Sequence, residues 1–403
     1  MRESIVIIGG GHAAAQLCAH LPTAGLGAPV HLICEEPYPP YQRPPLSKSF
    51  LKLQHEEFQH HHPDAWYADR GVTMHLGECV QAIDRGLREV VLASGSKLRY
   101  GKLVLATGTR ARTAPAIAGP LENVTTLRTA QDANLLRQRL LRQDAGVLQI
   151  LGGGFIGLEV AASARQLGWD VEILEAGPRL LARAASPELS AHVLRHHVRM
   201  GVRVEMAVDV GGFECASGRL ASMHVNGLRK PVDELLVGIG AAPNIQLAQG
   251  CGIAVDDGIL VDGRMRTSDP DVLAIGDCAS FPYLGRRLRL ESIQNANDQA
   301  KVAAATLQGL DADYTPAPTF WSDQGSMRLQ MAGLWRPGLQ AVSRPGVRSE
   351  SCSWFHFADA ELVAIESVNA PVDHMWGRKL LSAGVSPPSS QVADPQALLK
   401  SLM

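Results

Sequence analysis

Short apolar runs recur along the chain, at Ile5–Ile8, Val30–Cys34, 103–106, 148–151, 171–174, 235–239 and 272–275. Helix-like stretches separate several of them, at 13–21 and 158–167. Alternation of this kind predicts parallel sheets with helical crossovers. The last part of the chain reads differently. Ser353-Trp354-Phe355-His356-Phe357 and then Glu361-Leu362-Val363-Ala364-Ile365 predict antiparallel strands followed by a helical tail. The expected architecture is α/β, with two Rossmann-like domains and a C-terminal α+β domain. The first domain is discontinuous, over residues 1–109 and 234–315. The second is inserted at 110–233. The third, 316–403, begins within the Pro-marked stretch 314–318.

Two glycine fingerprints sit where an apolar run meets a helix-like stretch. The first is Gly9-Gly10-Gly11-His12-Ala13-Ala14 and the second Gly152-Gly153-Gly154-Phe155-Ile156-Gly157. In the first, Gly9 allows the tight turn, Gly11 lets the backbone approach a pyrophosphate, and Ala14 lets the helix pack on the sheet. The diphosphate then sits at a helix N-terminus, where free N–H groups favour negative charge. Glu35 ends the next run and is placed to accept hydrogen bonds from an adenosine ribose. In the second, Gly152, Gly154 and Gly157 complete G-x-G-x-x-G, and Glu175 closes the following run. A carboxylate there favours a free ribose 2′-OH and repels a 2′-phosphate, so NADH is expected over NADPH. Arg179 and Arg183 follow, either as helix-surface charges or as groups that complicate this preference. Two such sites in one chain predict two dinucleotides held face to face, as hydride transfer from a nicotinamide to a flavin requires.

A third segment points to FAD. The run 272–275 ends in Gly276-Asp277, where the glycine permits close backbone approach and Asp277 can accept hydrogen bonds from ribitol hydroxyls. The run at 103–106 passes through Thr107 and Gly108 as it turns out of the first domain, and both are placed among the flavin contacts.

Composition narrows the class. With 403 residues, 46% hydrophobic and 19% charged, the chain is globular. A net charge of −2 with no long basic tract does not suggest nucleic acid. No run approaches a membrane span, and Ile5–Ile8 is too short for a signal peptide core, so a cytoplasmic protein is expected. His55, His60, His61 and His62 lack helical ligand spacing and read as a polar loop, so no metal is expected. The seven cysteines include no CxxC or CxxxxC pair and read as reduced thiols.

These motifs resemble the FAD- and NAD-dependent oxidoreductases of the glutathione-reductase-like fold. Local strings narrow the resemblance. Tyr41-Gln42-Arg43-Pro44-Pro45-Leu46-Ser47-Lys48, Thr126-Leu127-Arg128-Thr129, Gly152 to Glu159, and Phe320-Trp321-Ser322-Asp323-Gln324-Gly325 are similar to the NADH:ferredoxin reductases of bacterial Rieske-type aromatic-ring dioxygenases. The reductase of biphenyl-dioxygenase-type systems is the nearest match, over about residues 4–385. At Ile293 the chain departs from relatives that often carry an aromatic. The resemblance implies that Lys48 lies near the flavin N5 and that Glu159, in the first turn of its helix, approaches from the NAD domain. A Lys48–Glu159 pair would hold the flavin and stabilise negative charge on it, and this reading is preferred to a surface ion pair. Arg43 would line the flavin or its pyrophosphate, Arg128 belongs with the flavin residues, and Trp321 would border the flavin edge or serve as a core aromatic.

The missing thiols bear on the acceptor. Disulfide reductases of this fold relay electrons through a CxxxxC pair, and related oxidases use one cysteine. The matching segment Pro45-Leu46-Ser47-Lys48-Ser49-Phe50 has none. A flavin can hold one or two electrons, so it can split the pair and feed a one-electron carrier, and an iron–sulfur ferredoxin fits. The chain lacks cluster-like cysteine spacing, so the cluster must sit on the partner, and the resemblance implies a [2Fe–2S] ferredoxin of Rieske type. Arg286-Arg287-Leu288-Arg289, with Arg328 and Arg336, offers an acidic partner a basic edge, though a solvated charged loop is the plainer reading. The alternatives are a rubredoxin- or putidaredoxin-type reductase or NADH oxidase of the same fold, and then a redox-responsive signalling protein like the apoptosis-inducing factor. The protein is expected as a monomer or homodimer.

Overall fold

The computed structural model describes residues 3–21, 27–114, 116–117, 119–142 and 146–403. They form two compact units, one of Met1–Arg43, Glu57–Arg110 and Ala241–Pro316, the other of Pro44–Glu56, Ala111–Gly240 and Ala317–Met403.

The first unit is built on a five-stranded parallel sheet in the order Val272–Ala274, Lys102–Leu105, Ile5–Ile8, Val30–Cys34, Val72–Leu76. Strands Ile5–Ile8 and Val272–Ala274 are apolar without alternation, as is Lys102–Leu105 after its lysine, because both faces are covered, whereas the edge strand Val72–Leu76 carries Thr73 and His75. Val6, Ile7, Leu32, Leu103 and Val104 are all buried in one core. Helix His12–His20 follows the first strand and packs on helix Ile293–Leu307, whose N-cap Ser292 accepts from the Asn295 amide.

The second unit repeats the design. Its parallel sheet runs Arg203–Met206, Asp170–Glu175, Val147–Leu151, Glu234–Val237, Val124–Thr125. The boundary expected at 234 is corrected here. Glu234–Val237 is a strand of the second sheet, in parallel register from Leu148↔Glu234 to Leu151↔Val237, and the chain returns to the first unit only at Ala241. Its apolar run suits either sheet, so pattern alone cannot choose between them.

Two further segments join this unit against expectation. Residues 44–56 belong to it because Leu51 is buried among Leu136, Leu140 and Leu158, and Phe50 lies 3.9 Å beneath the Arg137 guanidinium. The C-terminal block is an antiparallel sheet in the order Thr319–Gln324, Met327–Gly333, Glu361–Val368, Cys352–Ala358, Gln340–Pro345. Alternation gives this sheet two buried faces. Met327, Leu329 and Trp354 share a core with Leu158, Leu189 and Val193. Phe355 and Ile365 face the other way, onto helix Pro371–Ala383. That shared core is why the block is not a separate unit.

Candidate active site

Each fingerprint glycine has a reason that can be read from what a Cβ would meet. At Gly9, with φ +117, it would lie 2.2 Å from the Ala106 carbonyl oxygen. At Gly152, with φ +101, it would lie 2.5 Å from the Gly238 carbonyl oxygen. At Gly157 it would lie 2.5 Å from the Gly152 carbonyl oxygen, so helix and turn close only on glycine. These three serve the fold. Gly11 and Gly154 differ: a Cβ on either meets nothing within 4 Å. Their φ values of −92 and −83 suit any residue. Each is also the N-cap of its helix and supplies no side-chain cap. Open space in front of uncapped amides is what a dinucleotide diphosphate needs. Both cradles therefore fit the expected cofactors.

In the first unit, Glu35 stands exposed at the end of its strand. Arg43 donates to Glu36 at 2.9 Å, and the Tyr41 hydroxyl donates to the same carboxylate at 2.8 Å. This acid was not singled out from sequence. Thr107 Oγ1 donates to the Asn244 carbonyl at 2.7 Å, Asn244 Nδ2 returns to the Thr107 carbonyl at 2.9 Å, and Gly108 carries φ +62. The Gly276 amide donates to Gln299 Oε1 at 2.7 Å, and Asp277 next to it is half-buried. Ala14 is fully buried where its helix meets the sheet. The histidine loop is not simply polar. The His61 ring meets His12 edge-on at 4.3 Å, and His62 stacks on Trp66 at 3.7 Å. Burial, aided by His12 and His62, lowers the His61 pKa to about 4.

The second unit gathers more chemistry. Glu175 accepts from the Gly153 amide at 2.5 Å and the Gly177 amide at 2.6 Å, which fixes its carboxylate beside the fingerprint turn. Arg179 is committed away from any 2′-phosphate. Its guanidinium donates to the Ala185 carbonyl at 2.7 Å, Ser190 Oγ at 2.6 Å and the Ala182 carbonyl at 2.9 Å. Arg183 is exposed.

Glu159 opens the second turn of helix Phe155–Gln166 rather than the first, and it is buried. Its Oε2 accepts from Lys48 Nζ at 2.6 Å and Ser47 Oγ at 2.5 Å, and its Oε1 accepts from Ser322 Oγ at 2.6 Å. A nearly buried ion pair needs such additional donors to offset desolvation. Lys48 also donates to the Pro44 carbonyl at 3.2 Å. Ser163 Oγ holds the Ser47 carbonyl at 2.8 Å, fastening the Lys48 segment to the fingerprint helix. Trp321 lies between Ser322 and Phe320 on strand Thr319–Gln324, half-buried and outside the core clusters, so the core-aromatic reading does not hold. Arg128 sits just before the Thr129–Asp132 capping box of helix Ala130–Leu140, its amide bonded to Asp132 at 2.9 Å. Ser47 and Ser322 were not picked out from sequence. The signal lay in the buried-face alternation of Ser322 and Gln324, which reads as polar until the fold supplies a partner.

The thiols are inert where they are buried. Burial raises Cys18 and Cys34 to about 12, and burial raises Cys278 as well. All seven cysteines are free.

Two nucleotide cradles with a Lys–Glu pair on the second unit define a flavin- and nicotinamide-dependent oxidoreductase. The chain belongs to the pyridine nucleotide-disulphide oxidoreductase family, matched over residues 3–300, and residues 319–403 match the reductase C-terminal family. It is 41% identical to rhodocoxin reductase of Rhodococcus erythropolis, over 98% of this chain and 93% of that one. It is 40% identical to the ferredoxin–NAD(+) reductase component of the anthranilate 1,2-dioxygenase system of Burkholderia cepacia, over 100% and 99%. The biphenyl dioxygenase component of Paraburkholderia xenovorans is 35% identical, so these two relatives lie nearer than the biphenyl type. The structure matches that of a covalent putidaredoxin reductase–putidaredoxin complex with TM-score 0.93 and 34% identity, covering 100% of this chain and 98% of that one. Members of this family use FAD and NAD(H). No helix among the described residues is long and apolar enough to cross a membrane.

Proposed function

We propose that this protein is an FAD-containing NADH:ferredoxin reductase, drawing a hydride from NADH and feeding single electrons to a [2Fe–2S] ferredoxin of an aromatic-ring-hydroxylating dioxygenase. The observation that carries this is the pair of open glycine cradles combined with a Lys–Glu pair, and no cysteine, at the position where thiol-relay relatives keep theirs. Bound FAD supplies the exchange between two-electron and one-electron chemistry. The chain's own residues do the rest. Gly11, Glu35, Arg43, Thr107, Gly108 and Asp277 are assigned to FAD, on a turn that Gly9 and Ala14 shape, and the resemblance adds Arg128 and Trp321 to the flavin residues. Gly154 and Glu175 are assigned to NADH, on a turn that Gly152 and Gly157 close. Glu175 disfavours a 2′-phosphate, and the Arg179 guanidinium is occupied by the Ala182 and Ala185 carbonyls and by Ser190 Oγ. Lys48 presents an ammonium to the flavin, with Glu159 and Ser47 fixing its position.

The relatives serving dioxygenase systems support a Rieske-type acceptor, and use of NADH supports a cytoplasmic setting. Steady-state turnover tests the reading. NADH oxidation with a Rieske-type ferredoxin should exceed oxidation by oxygen alone many-fold, and thiol alkylation should leave it unchanged. Faster turnover with oxygen than with any ferredoxin would favour the oxidase.

A further inference from the structure

The Ser322 hydroxyl continues into a chain of buried side chains that the flavin chemistry does not explain. Gln324 Nε2 donates to Ser322 Oγ at 3.2 Å. His197 Nε2 lies 2.8 Å from Gln324 Oε1. Gln324 and His197 are fully buried, as is Ser322. His197 is held near the C-terminus of helix Pro187–Arg199, which Ser186 caps by accepting from the Leu189 amide at 3.1 Å. His196 next to it meets the Gln324 carbonyl at 3.0 Å.

The direction of every hydrogen bond in this chain is forced. A carboxylate facing Lys48 accepts only, so Ser322 must donate to Glu159 Oε1. Having given its proton there, Ser322 must accept from Gln324, which turns the amide nitrogen toward it. Gln324 Oε1 then needs a donor, so His197 carries its proton on Nε2. The other nitrogen, Nδ1, has no partner among the described residues and is a bare lone pair in a neutral ring. Burial lowers His197 to about 4, against a smaller opposing effect of its Gln324 hydrogen bond, in agreement with a neutral imidazole.

We infer that Gln324 and His197 are positioning residues for the reduction of the flavin, aligning the donors that hold Glu159 as a fixed anion for Lys48. This rests on the proposed role of the Lys48–Glu159 pair. Neither residue touches a reacting atom. Their effect passes wholly through Ser322 and Glu159, which separates the idea from a general packing role.

Stopped-flow reduction of the FAD-loaded protein by NADH tests it through a mutant cycle. Gln324→Met and His197→Phe are combined in one variant so that neither partner leaves the other orphaned. The combined variant should lower the limiting reduction rate by about fivefold while the NADH dissociation constant stays within about twofold. Glu159→Gln should lower the rate more. In the Glu159→Gln background the Gln324→Met/His197→Phe change should have no further effect, since residues acting through a shared partner are not additive. Additive losses, or a wild-type rate for the combined variant beside a slowed Glu159→Gln, would overturn the positioning role alone. An unchanged rate in Glu159→Gln would overturn the Lys48–Glu159 reading and this inference with it. Should the combined variant lose its flavin, Ser322→Ala against Ser322→Thr answers the same question: the alanine should be slow and the threonine, which keeps the hydroxyl, restored. Equal rates for the two would contradict the chain.

Discussion

The Lys48 ammonium and the buried Glu159 carboxylate meet at 2.6 Å, one carried by the segment Pro44–Glu56 and the other by the fingerprint helix. The two segments are joined by more than charge. Ser47 donates to the same carboxylate, and Ser163 binds the Ser47 backbone. Substituting Lys48→Met keeps the length of the side chain and removes the charge. Glu159 then keeps two hydroxyl donors but loses its counter-ion, so the loss of stability should be on the order of 2 kcal/mol rather than the full cost of an isolated buried charge. Flavin reduction by NADH should slow by at least about tenfold. Thermal unfolding and anaerobic stopped flow read the two effects separately. An unchanged reduction rate would remove Lys48 from the mechanism.

The glycines predict a contrast. Gly154→Ala places its Cβ in open space and should fold normally, with unchanged FAD content and a KM for NADH raised by at least about tenfold, because only the diphosphate needs that space. Gly11→Ala should fold and lose FAD. Gly152→Ala meets the Gly238 carbonyl oxygen at 2.5 Å with φ +101 and should cost several kcal/mol of stability, about the scale of a strained and overpacked site. Circular dichroism, flavin absorbance and KM distinguish the three. Equal behaviour of Gly152→Ala and Gly154→Ala would contradict the division into fold-serving and ligand-serving glycines.

Glu175 links cofactor choice to the turn. Glu175→Gln removes the charge that repels a 2′-phosphate but keeps the shape. The ratio of kcat/KM for NADH over NADPH should fall by about tenfold, mostly through improvement with NADPH. The loss is bounded by the two backbone amides that the carboxylate now accepts from, since weakening them loosens the turn for both donors. A ratio that stays unchanged would place the selectivity elsewhere.

Acid should destabilise the fold through buried histidines. His197 and His374 are lowered by burial from an ordinary value of 6.5 to about 4. An unfolded chain takes up their protons near 6.5, whereas the folded one resists until about 4. The stability they contribute is therefore complete above about pH 6.5 and declines as the pH falls toward 4. At about pH 5 each would have cost roughly 2 kcal/mol. Urea midpoints at pH 7.5 and at about pH 5 should differ accordingly, and His197→Phe combined with Gln324→Met should flatten part of the difference. Equal midpoints would contradict the buried neutral rings.

The basic edge expected at residues 286–289 is narrower than the sequence suggests. Arg287 donates to the carbonyls of Val261 and Ser280, at 3.1 and 3.0 Å. Arg289 is engaged by Asp257 and Glu291. Arg286 and Arg287 are both exposed, and of the two Arg286 is the one with no carbonyl bond of this kind among the described residues. Arg286→Glu should raise the KM for ferredoxin a few-fold at low salt and spare NADH–ferricyanide activity. Arg287→Glu should chiefly lower stability. A selective loss of ferredoxin activity in Arg287→Glu alone would reverse this assignment.

Much of the fold was legible because its signals are local. The runs Ile5–Ile8 and Val30–Cys34 are strands with those very bounds, and both fingerprints sit at strand-to-helix turns where glycine chemistry is nearly self-explanatory. Membership of a sheet was not legible. Glu234–Val237 and the segment 44–56 are placed by long-range pairing and by the burial of Leu51, which no window of sequence contains. Lys48 and Glu159 were found through the resemblance. Ser47, Ser322 and Gln324 lay within the same strings but were given no role, and His197 lay outside them, because a buried hydroxyl, amide or imidazole looks like surface until its partner is known. Strands Thr319–Gln324 and Gln340–Pro345 were missed for a related reason: their polar positions face into the protein.

The most direct test of the central claim is a two-step anaerobic experiment. The FAD-loaded protein is reduced with one equivalent of NADH and mixed in a stopped-flow instrument with an oxidised Rieske-type [2Fe–2S] ferredoxin, following the cluster absorbance. The account predicts rapid bleaching of the cluster, with two ferredoxins reduced per NADH consumed. A flavin reduced rapidly by NADH that then leaves every [2Fe–2S] ferredoxin oxidised would contradict it.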